Sequence, residues 1–326
     1  MRPQRPGQPC VEVPHQHVPL HGGMLVTAPD ALGHALVVPC ATGTRHPRNG
    51  HHGRRDCAGD TPGRLEMSST YFFQEAWPEE LARLTSLEAA LDPGTKALLE
   101  PLSRNAKTCL EAGAGAGSIA GWLGEHIPPP GRVLACDIQT KFLERMSNAQ
   151  LEIRRHDIAA DALPADSFDL VHVRWTLFWL APASRAAAVA HLLSSLRPEG
   201  RLLVEEPDFA PLLHSPMPAP LDQVITEHAR LISERSPVDV TYGRRVYADL
   251  TAAGLRDTRT AARTHVIEPG RTETGGAWLR LALNRIRPDM VRAGMVTEAA
   301  FDVALRQFDE PNGLVFPLTM AVWGQK

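Results

Sequence analysis

The sequence has few cysteines, little net charge and no long apolar run, and each shortage excludes a class of protein. The five cysteines among 326 residues show no paired spacing, which predicts free thiols rather than disulfides. A formal net charge of -3 gives no reason to expect a nucleic acid or an anionic membrane as partner. No apolar run approaches the roughly 18 to 20 residues of a membrane span, and no basic segment leads into an apolar one as in a signal peptide. We therefore expect a soluble, cytoplasmic protein.

Residues 1–66 differ in composition from the rest of the chain. They are rich in proline, glycine and histidine and show no hydrophobic periodicity. Such a composition does not build a packed core, so this segment is predicted to be a disordered extension. Its histidines and cysteines lack the compact, repeated spacing of zinc modules, and no metal site is predicted. A second hypothesis is that the native protein starts at Met67, where the regular sequence begins.

The most informative segment is residues 110–117, where an apolar strand runs into three alternating glycines. Without Cβ atoms these glycines let the backbone turn sharply and let a ligand lie against bare peptide. In a dinucleotide-binding GxGxxG loop the third glycine would be residue 118, which is Ser118 here. Glu111, two residues before the first glycine, suits the sulfonium and α-ammonium groups of S-adenosylmethionine (SAM) better than a pyrophosphate. The loop therefore favours SAM over a nicotinamide dinucleotide.

Two further acids end predicted strands. Asp137 closes an apolar strand 24 positions after Gly113, where a carboxylate can accept hydrogen bonds from both ribose hydroxyls. Asp157 follows at the end of the next short strand, where it can accept the adenine amino group while Ile158 covers the ring. Two more strands are predicted at residues 167–174 and 200–207. The ends of these strands converge on one cleft.

In their order and spacing, these motifs resemble those of the class I (Rossmann-like) SAM-dependent methyltransferases, in particular the bacterial small-molecule type with a generic methyltransferase domain. The motifs are the ExGxGxG turn, the acid at Asp137, the pair at residues 157–158, and the segments DSFDLVHVR and RPEGRLLVEEPD. The resemblance covers roughly residues 69–326. It implies that SAM contacts Glu111, Gly113, Ala114 and Gly115 with its methionine part, Asp137 and Ile138 with its ribose and adenine, Asp157 and Ile158 with its adenine, and the backbone of Arg174.

The resemblance also implies the fold, an α/β protein whose seven-stranded sheet is mostly parallel with an antiparallel last strand. The sequence itself alternates strands with helices, which predicts parallel pairing, right-handed crossovers and a doubly wound core. The last two strands are predicted at residues 256–267 and 314–323. Helices are predicted at residues 78–91, 95–104, 118–126, 139–147, 184–196 and 221–234, with another ending at Gly254.

Three helical segments outside the minimal core, at about residues 69–92, 210–253 and 272–308, are expected to act as lids over the cleft. In the family that the sequence resembles, such segments form the acceptor pocket. This arrangement suggests an enclosed site for a small molecule rather than an open groove for a macromolecule. Trp175, Phe178 and Trp179 follow the fourth strand and either line an aromatic acceptor pocket or belong to the core.

The sequence assigns no catalytic base. His172 alternates with valines inside the fourth strand, which favours a core histidine over a base. Glu205 and Glu206 end the fifth strand and point to opposite faces, so one of them is expected to approach the acceptor. The remaining candidates lie in the predicted lid region, where a surface role is favoured for both histidines: His214, His228 and Tyr242.

The predicted function is methyl transfer from SAM to a small organic acceptor in secondary metabolism, with O- or N-methylation favoured over C-methylation. The segment after the fourth strand, residues 174–177, lacks the Asn/Asp-Pro-Pro-Phe/Tyr motif of nucleic-acid-base and glutamine methyltransferases. One alternative is a SAM-binding protein that does not transfer the methyl group, such as a cyclase or a protein that uses SAM structurally. A NAD-dependent dehydrogenase is disfavoured by Ser118. The predicted partner is the small-molecule acceptor, and the sequence allows a homodimer.

Overall fold

The computed structural model describes residue 73 and residues 77–146 and 148–326. The predicted extension at residues 1–66 and the hypothesis of a start at Met67 lie outside the described residues. Within the described ranges, no helix is both long enough and apolar enough to cross a membrane.

Seven strands of the described chain form one mixed sheet. In chain order they are β1 (Thr108–Ala112), β2 (Arg132–Asp137), β3 (Leu151–Arg155), β4 (Phe168–Arg174), β5 (Leu196–Asp208), β6 (Arg256–Arg263) and β7 (Leu318–Gln325). Their order across the sheet is β3-β2-β1-β4-β5-β7-β6. The first five strands pair in parallel, and β7 runs antiparallel to both β5 and β6. The predicted seven-stranded sheet with an antiparallel last strand is confirmed.

Helices join the strands and cover both faces of the sheet. They are α1 (Glu80–Ser103), α2 (Ser118–His126), α3 (Pro182–Ser195), α4 (Ala210–Leu213), α5 (Leu221–Arg235), α6 (Val246–Ala252), α7 (Gly276–Arg292) and α8 (Glu298–Phe308). Successive residues of β1 enter different cores: Leu110 packs in the larger one, and Cys109 packs in the smaller one with Leu99 and Leu123. Because side chains alternate along a strand, this division identifies the two buried faces of a doubly wound fold.

The two helices predicted before β1 are in fact one. Residues 78–91 and 95–104 are predicted as two helices, but α1 runs unbroken from Glu80 to Ser103 with Pro93 inside it. Leu91 and Leu99, on either side of Pro93, are buried at 5% and 0% exposure. Their packing offsets the helical hydrogen bond that Pro93 cannot donate.

The prediction of a helix at residues 139–147 is also wrong. Among the described residues 139–146, only Leu143–Arg145 form a helical element, a 3-10 turn. The backbone N–H of Gln139 donates to Asp137 Oδ1 over 3.0 Å, which ties the start of the segment to the end of β2. Leu143 is completely buried, so the segment is held by packing rather than by helical hydrogen bonds.

Three strand ends differ from their predicted positions. β3 ends at Arg155, so residues 157–158 lie in the following turn. β6 ends at Arg263, whereas the predicted strand ends at residue 267. β7 begins at Leu318, whereas the predicted strand begins at residue 314. Pro317 has no N–H to donate, and it separates β7 from an isolated antiparallel bridge between Val266 and Val315.

Candidate functional site

The candidate site lies at the carboxyl ends of the parallel strands. β1 has β2 on one side and β4 on the other, so the strand order reverses there, which is where open α/β sheets bind ligands. A cavity of about 960 Å³ occupies this position, walled by the loops after the first four strands and by α1, α5 and α7. All the residues expected to contact the cofactor line it: Glu111, Gly113, Ala114, Gly115, Asp137, Ile138, Asp157, Ile158 and Arg174.

The glycine loop folds tightly onto the end of β2. Gly113 and Ala114 both donate backbone hydrogen bonds to the carbonyl of Cys136, over 2.8 and 3.1 Å. Gly113 has φ +70°, and a Cβ at this position would lie 2.1 Å from Thr176 Oγ1. Only glycine therefore fits here, because any side chain would be strained and would collide with the loop after β4.

Asp137 is fixed by two backbone donors. Its Oδ2 accepts from Gly115 N and its Oδ1 from Gln139 N, each over 3.0 Å. A carboxylate oxygen can accept more than one hydrogen bond, so Asp137 can still accept from a ligand in the cavity that it lines. The carboxylate therefore joins the two loops that a nucleoside would contact.

The turn after β3 forms another part of the cavity wall. Asp157 Oδ1 accepts from Ala159 N over 2.9 Å, and Asp157 N donates to Asp161 Oδ2 over 3.1 Å. Ile158 is 5% exposed and lines the cavity beside Asp157. A carboxylate next to an apolar surface can hold the edge and the face of a flat heterocycle.

A chain of charged side chains crosses the sheet beneath the glycine loop. Glu111 Oε2 lies 2.6 Å from His172 Nδ1, and His172 Nε2 lies 3.2 Å from Glu205 Oε2. The guanidinium of Arg263 pairs with Glu205 Oε1. Glu111 is the register partner of His172 on the neighbouring strand, which explains their approach. We call these four residues the buried charge chain.

Protonation within the buried charge chain follows from its contacts. Burial alone would lower the pKa of His172, but Glu111 and Glu205 raise it to about 9. Burial would raise the pKa of Glu205, but His172 and Arg263 lower it to about 2. The histidine is therefore an imidazolium between carboxylates at neutral pH.

Helix α1 is tied to the glycine loop and to the end of β4. Asp92 Oδ1 accepts from Ser118 Oγ over 2.9 Å and from an Arg174 Nη2 over 3.0 Å. Arg174 Nη1 donates to Thr95 Oγ1 over 2.9 Å. Glu88 Oε1 accepts from the backbone N–H of Ser118 over 3.2 Å. We call the contacts of Asp92 and Glu88 with Ser118 and Arg174 the α1 latch.

The structure corrects the expectation that Glu205 or Glu206 approaches an acceptor. The two side chains do diverge, but Glu205 joins the buried charge chain, and Glu206 accepts backbone hydrogen bonds from residues 176–178 over 2.8 to 3.2 Å. Burial raises the pKa of Glu206 to about 7 despite these donors. Neither carboxylate lines the cavity.

Three of the other four catalytic candidates also lie off the cavity. His172 belongs to the buried charge chain. Tyr242 is completely buried with the guanidinium of Arg185 over its ring at 4.0 Å. His214 is exposed on the outside of the molecule, and its Nδ1 lies 2.8 Å from the carbonyl of Ala210. In contrast, His228 of α5 does line the cavity, although a surface role was favoured for it.

Several cavity residues were missed by the sequence reasoning. Glu80 and Arg83 form a two-pronged ion pair with both distances at 2.7 Å, and they are only 1% and 3% exposed. An (i, i+3) pair of charges near a helix start normally indicates a solvated face, so the sequence carries no signal of burial. Phe209 and Trp278 also line the cavity, from separate elements beside the predicted Trp175.

Comparison with known proteins identifies the central part of the chain. Residues 109–200 match the family model Methyltransf_25, described as a methyltransferase domain. The chain is 30% identical over 145 residues to an uncharacterized 37.1 kDa protein in transposon TN4556 of Streptomyces fradiae, a match that covers 42% of this chain and 41% of that protein. The chain thus spans less than half the length of this curated relative.

Two solved structures are also similar. The YcgJ protein from Bacillus subtilis is 15% identical with a TM-score of 0.47, over 72% of this chain and 98% of that one. Phosphoethanolamine N-methyltransferase 2 from Haemonchus contortus, in complex with phosphomonomethylethanolamine and S-adenosylhomocysteine, is 14% identical with a TM-score of 0.47, over 75% of this chain and 57% of that one. The matched residues 109–200 carry β1 to β4 and the glycine loop, so this part of the chain is similar to a methyltransferase domain.

Proposed function

We propose that the protein transfers a methyl group from SAM to a small organic acceptor that is bound in the same cavity as the cofactor. The observation that carries this proposal is the two-ended lining of the cavity of about 960 Å³. Glycine and acidic side chains line the strand ends, and the helices contribute a mostly apolar lining that also contains the buried Glu80–Arg83 ion pair. We propose residues 67–326 as the catalytic unit, with α1, α4 to α6 and α7 to α8 as its lids.

The cofactor end follows the chemistry of SAM. In this proposal Glu111 and the glycine loop receive the methionine part, and the backbone of Arg174 completes that end. Asp137 with Ile138 holds the ribose and adenine, and Asp157 with Ile158 holds the adenine. The carboxylates suit SAM because it carries cationic groups and no phosphate.

The acceptor end is aromatic. Trp175 lies at a centroid distance of 6.1 Å from Phe178, 5.7 Å from Phe209 and 5.6 Å from Trp278. Trp179 follows 4.8 Å from Phe178. Such a surface favours a flat, largely apolar acceptor that carries one hydroxyl or amine, because edge and face contacts between rings add to the burial energy.

The reaction would depend mainly on alignment. A nucleophile must lie in line with the methyl group and the sulfonium, and exclusion of water assists the transfer. Burial and the nearby Arg83 lower the pKa of His228 to about 4, so its imidazole is neutral at pH 7 and can accept a proton. A pKa this low makes a weak base, so positioning would carry most of the rate.

SAM binding without transfer is the second candidate function. One observation favours it: of the six catalytic candidates only His228, whose low pKa makes it a weak base, lines the cavity, and the other five do not: Glu205, Glu206, His172, His214 and Tyr242. A protein that used SAM for cyclisation or structure would not need a base beside the cofactor. Both functions require SAM to occupy the strand-end side of the cavity.

Release of S-adenosylhomocysteine (SAH) separates the two functions. The protein is incubated with SAM and a panel of small aromatic alcohols and amines, and we expect SAH to appear with at least one of them. Ala282→Phe, which fills the acceptor end from α7, should reduce that release at least about 10-fold while SAM affinity changes less than about twofold. Ala299→Phe, on the exposed side of α8, is the control. SAM binding with no SAH release from any acceptor would favour the second function.

Location and assembly remain proposals made from the sequence. We propose a cytoplasmic protein that acts on secondary metabolites, and the free buried thiols of Cys109 and Cys136 support a reducing compartment. The proposed homodimer can be checked by light scattering of the purified protein.

A further inference from the structure

The buried charge chain calls for a functional explanation because it is costly to bury. Replacing a buried ion network with apolar side chains is often neutral or stabilising, so such a network is weak evidence for stability. Leu170, which shares a face of β4 with His172, and Leu203, the register partner of His172 on β5, are apolar and completely buried. His172 therefore occupies a position where the sheet would accept an apolar side chain.

The contacts of His172 require its charged form. Each ring nitrogen faces a carboxylate, Glu111 from β1 and Glu205 from β5, and both nitrogens donate only in the imidazolium. On the far side, Arg263 from β6 pairs with Glu205. The ring is thus anchored on the side away from the cavity and bonded to Glu111 on the side toward it.

Of the four residues of the buried charge chain, only Glu111 lines the cavity. Its Oε2 is held by His172 over 2.6 Å, and its side chain is only 4% exposed. This contact with the His172 ring fixes the direction of the Glu111 carboxylate.

We propose that His172 is a positioning residue for SAM, because its ring is held between Glu205 and Glu111 and keeps the Glu111 carboxylate directed at the α-ammonium group of the bound cofactor. The inference rests on the proposed function, in which Glu111 receives the methionine part of SAM. It gives a role to a side chain that the sequence favoured as a core histidine.

Two ligands test this role in the full-length protein by calorimetry. SAH carries the α-amino group, whereas 5′-methylthioadenosine has the same adenine, ribose and sulfur but lacks the amino-acid part. His172→Gln should weaken SAH binding about 10-fold and change 5′-methylthioadenosine binding by less than about twofold. Equal weakening of both ligands, or unchanged SAH binding, would overturn the inference, since a merely structural role does not distinguish the ligands.

A double-variant cycle tests whether His172 acts through Glu111. Glu111→Gln alone should weaken SAH binding as His172→Gln does. The variant with both substitutions should bind SAH no more weakly than the Glu111→Gln protein, because the second change then removes nothing further. Independent, additive losses would overturn the inference.

A charge-balanced variant keeps the test decisive if His172→Gln does not fold. His172→Gln combined with Glu205→Gln removes one buried positive and one buried negative charge together. The same pattern is expected: this variant should bind SAH more weakly than the wild type and bind 5′-methylthioadenosine with unchanged affinity. A wild-type protein that binds neither ligand would contradict the proposed function itself, and the inference with it.

Discussion

Asp137 carries the clearest prediction at the scale of single residues. Its carboxylate accepts backbone hydrogen bonds from both loops and lines the cavity where the ribose is proposed to bind. Asp137→Ala should weaken SAM binding about 10 to 100-fold, or about 1.5 to 3 kcal/mol, by removing charge-assisted hydrogen bonds. Calorimetric titration with SAM measures this change.

The control for that substitution removes an acid elsewhere. Asp222 is exposed in the first turn of α5 and is not part of the cavity wall. Asp222→Ala should leave SAM affinity unchanged. An Asp137→Ala protein with wild-type affinity would show that the nucleoside does not bind at the end of β2.

The buried charge chain predicts how stability depends on pH. The pKa of His172 is raised from 6.5 to about 9 by its carboxylates, so the imidazolium stabilises the fold fully below pH 6.5 and loses that effect as the pH rises through 9. Between pH 7 and pH 10 the wild type should therefore lose up to about 3 kcal/mol more stability than the His172→Gln, Glu205→Gln double variant.

Urea unfolding at a series of pH values measures this difference. Comparison with the double variant cancels the other groups that titrate in alkali. Parallel pH profiles for the two proteins would mean that His172 is neutral in the folded state.

At the scale of secondary-structure elements, the sequence predicts the parts of the site that depend on local pattern. The glycine loop, Asp137 and the turn at residues 157–158 each follow an apolar strand directly, so their position is encoded within a few residues. Parallel pairing then brings the strand ends to one edge of the sheet. For this reason all nine predicted cofactor residues line one cavity.

The parts that depend on packing between distant elements could not be predicted. Two separate helices are predicted where α1 lies, but burial of leucines on both sides of Pro93 keeps the helix continuous. The burial of Glu80 and Arg83 depends on helices that lie more than a hundred residues away. Glu206 turns toward the backbone after β4 instead of the cavity, and no pattern near position 206 indicates this.

Helix α1 should act as a lid that the α1 latch holds closed. Asp92 binds both Ser118 at the start of α2 and Arg174 at the end of β4. Asp92→Ala should therefore speed hydrogen exchange in residues 80–103 and raise the SAM dissociation rate roughly 3 to 10-fold, which corresponds to about 1 kcal/mol of partly buried ionic hydrogen bonding. Exchange by mass spectrometry and stopped-flow dissociation measure the two effects.

Glu100→Ala is the matched control, since Glu100 is an exposed acid on the same helix. Glu100→Ala should change neither the hydrogen exchange of residues 80–103 nor the rate of SAM dissociation. Equal exchange in the Asp92→Ala and wild-type proteins would show that apolar packing alone holds α1 in place.

At the scale of the whole molecule, the topology explains why one cavity can serve two ligands. The reversal of strand order at β1 and β4 opens a crevice, and the loops of the first strands fill it with glycines and acids. Helices from the start, middle and end of the described chain close the other side. In the proposed function, the sheet provides the site for SAM and the helices shape the site for the acceptor.

The central claim is that the strand-end side of the cavity binds SAM, and calorimetry of the full-length protein with SAM and with NAD tests it most directly. Carboxylates at Glu111, Asp137 and Asp157 favour a cationic, phosphate-free cofactor. The structure predicts saturable SAM binding with one site per chain and no measurable heat from NAD. Tight NAD binding without a SAM signal would contradict the claim.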